Sequence, residues 1–304
     1  MISQRDAFFN TLYEIAKRDR DVYLVVADMA APSLDKFRRD LSSQYINVGV
    51  AEQNAITIAA GLALEGKKVY VYSIIPFISL RCLAHIRIEC AVMKLPITIV
   101  GNGAGFSYDT AGPTHHLFED IAIMRAIPNI TIHNVTDSVM AASVAMSSYE
   151  SKLANYVRLD RFALPDIYNE KSDFSYGYNF LVPGENYILS TGIMTHTALE
   201  IADKFDNLGV IDVHTFPFDY NTLVAISHSK KLITMEENVL NGGLGSAICE
   251  FLNDTNIQIP VLRIGINNLD GYCHEYGGRK EVIWKYYDID KETSMTKIRS
   301  FLNG

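Results

Sequence analysis

The chain has 304 residues, enough for about two domains of ordinary size. Apolar residues make up 48% and charged residues 20%, which excludes disordered, collagen-like and coiled-coil classes. With 27 basic against 35 acidic side chains the net charge is −8, and no basic run is present, so nucleic acid is not the expected partner.

In chain order, short β-branched runs alternate with longer helical patterns. Strands are expected at Val22–Ala27, Lys68–Tyr72, Ile97–Gly101, Ile130–His133 and Tyr156–Leu159. Helices are expected at Gln4–Arg18, Gln53–Glu65, Ile78–Met93 and Asp137–Ser151, the last with Asp137 and Ser138 as N-cap candidates. The stretch Arg161–Pro183 carries Pro, Gly, Asp, Ser and three tyrosines and reads as a surface linker. The pattern then restarts, with strands at Tyr187–Ser190, Val210–Val213, Lys231–Met235 and Val261–Ile264. Helices follow at Thr195–Phe205, Gly243–Leu252 and Lys291–Phe301.

Strands alternating with helices imply crossover connections and a mostly parallel sheet covered on both faces. The expected architecture is therefore two doubly wound α/β domains, 1–165 and 183–304, joined by a linker at 166–182.

The four cysteines, Cys82, Cys90, Cys249 and Cys273, show no metal-ligand spacing. If Cys82 and Cys90 share one helix they lie about 12 Å apart, too far for a disulfide. Reduced thiols in a cytoplasmic protein are the expectation. The first residues do not form a signal peptide, and the longest apolar stretch, Val69–Leu80, is too short to cross a bilayer.

Three segments carry candidate chemistry. Glu52 opens a helix that is apolar on nearly every face. It is either a simple helix-start carboxylate favoured by the dipole, or a buried acid that exchanges a proton with a ligand nitrogen. The loop Gly101–His116 follows a strand end, where open α/β sheets bind ligands, and ends on His115 and His116. It matches neither a dinucleotide fingerprint nor a Walker loop. Asn241–Ser246 reads as tight packing at a helix start, with a phosphate cradle as the alternative. Glu236 and Glu237 before it face opposite ways if they lie on a strand.

Several short motifs fall in order: Ala27-Asp28-Met29, Gly49-Val50-Ala51-Glu52-Gln53, Ala59–Gly66, Gly112-Pro113-Thr114-His115 and Arg125–Asn129. Together they resemble the pyrimidine-binding domain of the transketolase family. Met235–Asn238 and Gly242–Ser246 resemble that family's C-terminal domain. The Gly-Asp-Gly…Asn motif, by which the family binds Mg²⁺ and a diphosphate, is missing from the sequence. The chain thus looks like the C-terminal subunit of a split transketolase, whose N-terminal partner subunit carries Mg²⁺ and the diphosphate of thiamine diphosphate. An α2β2 heterotetramer is expected.

The resemblance implies roles. Glu52 matches the glutamate that bonds the aminopyrimidine and exchanges its proton. Phe77 matches an aromatic packed on that ring, with Ile74 in place of a neighbouring aromatic. Asp28, followed by Met29, matches an aspartate near the thiazolium. His115 matches a histidine on donor oxygens, and Arg161 an arginine on substrate phosphate. Asn102 is a further substrate candidate. Ala111 stands where the family has a donor-reading aspartate, which implies an altered sugar, with Asp109 as a possible replacement reader. The implied reaction is transfer of a two-carbon ketol unit between sugars or sugar phosphates. The alternatives are a pyruvate-using subunit like 1-deoxyxylulose-5-phosphate synthase, a 2-oxo-acid dehydrogenase β-like subunit, or a non-catalytic regulatory subunit.

Overall fold

The computed structural model describes residues 1–219 and 223–304. It forms two compact units, Met1–Ala104 with Met124–Ser172, and Gly105–Ile123 with Asp173–Gly304. Each is an α/β layer structure, as the sequence pattern predicts.

The first unit holds strands β1 (Val22–Val26), β2 (Tyr45–Asn47), β3 (Lys68–Ile74), β4 (Ile97–Asn102), β5 (Ile130–Asn134) and β6 (Ala154–Leu159). Within this unit they pair in the order β5-β6-β4-β3-β1-β2, every pair parallel. β4 and β6 are buried at every position, Thr98, Asn102, Asn155 and Arg158 included, so neither shows the alternation of a strand with one wet face. Helix α1 (Gln4–Ala16) is capped by Ser3 Oγ, which accepts from Asp6 N, and packs on the helix Ser138–Glu150.

Of the two N-cap candidates, Asp137 does the capping: Oδ1 accepts from Met140 N at 2.8 Å. Its Oδ2 accepts from Ile167 N and Tyr168 N, so the same carboxylate pins the following segment. Ser138 instead donates to Asp166.

Two elements escape the sequence pattern: α2 (Pro32–Asp40), a short helix with Pro at its start, and β2, only three residues long. The helix expected at Ile78–Met93 is not continuous. The chain makes a turn at Ile75–Ile78, a further short turn at Leu83–His85, and a π-helix at Ile86–Val92. The wider π register lets Ile86, Cys90 and Ala91 all turn inward. Cys82 and Cys90 therefore do not share one regular helix, and all four cysteines are free.

The second unit carries β7 (Tyr178–Val182), β8 (Asn186–Ser190), β9 (Leu208–Val213), a two-residue strand β10 (Thr215–Phe216), β11 (Leu232–Val239) and β12 (Val261–Ile266). Its five-stranded sheet runs β12-β11-β8-β9-β7, parallel except for β7, which pairs antiparallel with β9. β7 lies inside the stretch expected to be linker. Only Tyr178 of this edge strand is buried, and Phe180 stays exposed, so its sequence lacks a strand's apolar pattern and looks loop-like. Segment 105–123, expected within the first domain, packs with this second unit. Val239 N donates to Phe118 O at 2.8 Å, and Phe106 N donates to a carboxylate of β11.

Candidate active site

In the first unit, β1 leads to β2 on one side and β3 leads to β4 on the other. The carboxyl ends of adjacent β1 and β3 therefore mark the topological switch point, where open α/β sheets bind ligands. Asp28 and Met29 follow β1, Ile74 ends β3, and Asn102 ends β4 as the register partner of Ile74. Asp28 is exposed and adopts a left-handed backbone, φ 51°, tolerated by Asp. Asn47 Oδ1 accepts from both Asp28 N (3.2 Å) and Gly49 N (3.0 Å), tying the end of β1 to the turn that enters α3 (Glu52–Leu64).

Glu52 is the first residue of α3 and only 4% exposed. Arg81 Nη1 donates to its Oε2 at 2.8 Å, and the same guanidinium lies 4.4 Å from the centroid of the Phe77 ring. Arg81 is itself held, because Gln53 Nε2 donates to its carbonyl at 3.0 Å. One flat cation thus spans a buried carboxylate and an aromatic face. That is the pair of contacts a planar, nitrogen-rich ring needs: a hydrogen bond at its edge and a stack on its face.

Sequence reasoning missed Arg81. The signal was available in the four-residue spacing after Phe77, but the expected helix hid it. Arg161 is exposed, its guanidinium 5.7 Å from the Phe162 ring. Among the described residues, no group of three or more His, Cys, Asp or Glu side chains is arranged to hold a metal ion.

In the second unit, the loop from Gly105 returns to a bridge with Leu117, where Leu117 N donates to Gly105 O at 3.0 Å. Ala111 N donates to Tyr108 O, and His115 N to Gly112 O. The two adjacent histidines differ sharply. His116 is buried, and its Nε2 donates to the Tyr108 carbonyl, since that oxygen can only accept. Burial pushes its pKa down, which favours the neutral ring. His115 is half-buried, 3.0 Å through Nδ1 from Thr114 Oγ1 and 5.7 Å ring to ring from Tyr108. It is the histidine of the pair with a side open to chemistry.

Glu236 and Glu237 do face opposite ways. Glu236 accepts from Leu244 N (2.7 Å) and Gly245 N (2.8 Å), the first donors of the helix Leu244–Asp254. The protein's own carboxylate thus sits where a bound phosphate was the alternative. Glu237 faces Phe106 N, Arg279 and Trp284, a cluster that no short motif announces.

Comparison with known proteins matches residues 1–165 to the model of the transketolase pyrimidine-binding domain, and residues 183–276 to that of the transketolase C-terminal domain. The chain is 32% identical to an apulose-4-phosphate transketolase subunit of Phocaeicola vulgatus, over 96% of this chain and 95% of that one. It is 34% identical to a 6-deoxy-6-sulfo-D-fructose transketolase subunit of a Clostridium species, over 88% and 85%. A solved structure described as "Split gene transketolase, inactive beta4 tetramer" superposes with a TM-score of 0.85 at 27% identity, covering 98% of this chain and 97% of that one.

Proposed function

Because the chain belongs to the transketolase family, we propose that it is the pyrimidine-domain subunit of a thiamine-diphosphate-dependent split transketolase. The observation that carries this reading is the pairing of buried Glu52 with the Phe77 ring at the switch point, bridged by a flat cation. These groups suit an aminopyrimidine: Glu52 bonds and exchanges a proton at a ring nitrogen, and Phe77 stacks on the ring face. Arg81 must then move aside. Asp28, Met29 and Ile74 are the proposed further contacts of the cofactor. When bound, thiamine diphosphate supplies the nucleophilic carbon that takes up the two-carbon unit.

The proposed reaction moves a ketol unit between sugars or sugar phosphates. His115 is proposed to hold donor oxygens, and Asn102 and Arg161 to contact substrate. Relatives of nearly this length are named as transketolase subunits, which supports an N-terminal partner subunit that keeps Mg²⁺ and the diphosphate, in an α2β2 assembly. Three of the four free thiols are buried, which accords with the cytoplasm as the compartment.

Ala111 offers no acceptor, so a standard donor loses one charge-assisted hydrogen bond there, worth about 1.5–3 kcal/mol. A modified donor sugar is therefore proposed, and the two relatives above carry unusual sugars in their names. The test is a panel of ketose donors, with pyruvate included, given to the chain assembled with a companion subunit, thiamine diphosphate and Mg²⁺. Ketol transfer from an epimeric, deoxy or substituted ketose supports the reading, and Ala111→Asp should then shift preference toward xylulose 5-phosphate. Turnover of pyruvate alone overturns it. No shift in Ala111→Asp points to Asp109 as the reader.

A further inference from the structure

Glu237 is 4% exposed and receives four donors on two oxygens. Arg279 Nε (2.8 Å) and Trp284 Nε1 donate to Oε1, while Arg279 Nη2 and Phe106 N (3.1 Å) donate to Oε2. Arg279 and Trp284 are both buried, so this is a closed charge pair and not a rim contact. Both lie beyond residue 276, where the match to the family's C-terminal domain ends.

The cluster meets the base of the loop that carries His115. Gly105 adopts φ +58°, and a Cβ there would collide with Glu237 Oε2, so only glycine lets the carboxylate reach the next amide. Phe106 is fully buried and stacks parallel on Tyr287 (5.3 Å, 10°), with its ring also against His116 at 5.2 Å. Gly105 O accepts from Leu117 N, so the loop's outgoing strand is fixed to the residue that Glu237 packs on. His115 stands two residues before Leu117.

We propose that Glu237 is a positioning residue for His115. Through Phe106 and Gly105, the Glu237–Arg279–Trp284 cluster fixes the base of the 105–117 loop within the second unit, and so how the His115 imidazole is presented. The C-terminal segment thereby takes part in donor handling without touching substrate. The inference rests on the proposed role of His115.

A buried amide at this position holds one acceptor oxygen and one donor group against four donors, so Glu237→Gln must release part of the set. In the assembled complex, kcat should fall at least tenfold while thiamine diphosphate affinity stays within twofold. Hydrogen exchange should show lost protection at Phe106 and Leu117, with β8, β9 and β11 unchanged. Trp284→Phe, which removes one donor and keeps an aromatic, though smaller, side chain, should give a smaller kcat loss and the same local loosening. Unchanged kcat with a loosened loop overturns the proposal, as does protection lost evenly across the second unit. If Glu237→Gln does not fold, Trp284→Phe decides on the same criteria. If the wild-type complex transfers no ketol unit, the functional reading fails, while the exchange data still report whether Glu237 anchors the loop.

Discussion

Arg81 donates a 2.8 Å hydrogen bond to Glu52, joining a guanidinium that is 46% exposed to a carboxylate that is 4% exposed. The cation neutralises a buried acid from the solvent side. It also lies over Phe77, on the face proposed for the cofactor ring.

This arrangement makes Arg81 a competitor for the ring. Arg81→Met keeps apolar bulk over Phe77 and removes the hydrogen bond to Glu52. The half-exposed pair is worth on the order of 1 kcal/mol, so stability should fall by about that much. Affinity of the assembled complex for thiamine diphosphate should rise several-fold, because Glu52 is then left wanting a donor. Denaturant titration and calorimetry check the two halves. Weaker cofactor binding would show that Arg81 helps to hold the cofactor.

Glu52→Gln keeps shape and loses the titratable proton. The fold should survive, while turnover of the assembled complex should fall about 10²–10⁴-fold, the usual worth of a general acid–base step. Exchange of the cofactor's reactive C–H proton, followed by NMR, isolates the step. A wild-type exchange rate in the mutant complex would remove Glu52 from the mechanism.

Much of this was legible because each domain repeats one period. The continuous apolar run of β1 and the mostly apolar, non-alternating stretches of β4 and β6 announce parallel, doubly covered strands. Glu52 and Phe77 stand out through their motifs, and Glu236 and Glu237 through alternation along a strand. What stayed hidden depends on distant partners. Arg279 lies 42 residues from Glu237, and no local pattern links them. β7 was masked because this edge strand buries only Tyr178, and the tyrosine-bearing stretch around it read as linker. The π-helix at Ile86–Val92 carries no signal distinct from an α-helix, since both need the same apolar residues a few positions apart.

Acid should destabilise the first unit through His133 of β5. Burial holds its pKa at about 4, below the ordinary 6.5, although its hydrogen bond to Asn155 opposes the shift. Between these values the unfolded chain takes up a proton that the native chain refuses. The stability is therefore complete above about 6.5 and is lost as pH falls toward 4, amounting to about 3 kcal/mol. Burial moves His116 in the same direction, so His133→Gln removes only part of the slope. Urea midpoints at pH 7 and pH 5 for both proteins measure it. Identical slopes in the two would contradict the assignment.

The proposed division of the cofactor between two subunits is tested most directly by calorimetry. Thiamine diphosphate with Mg²⁺ is titrated into this chain, into its companion subunit, and into their equimolar mixture. Tight binding should occur in the mixture alone, with only weak heat from this chain, because it offers contacts to the ring and none of the family's Gly-Asp-Gly metal motif. Sub-micromolar affinity in this folded chain by itself would contradict the account.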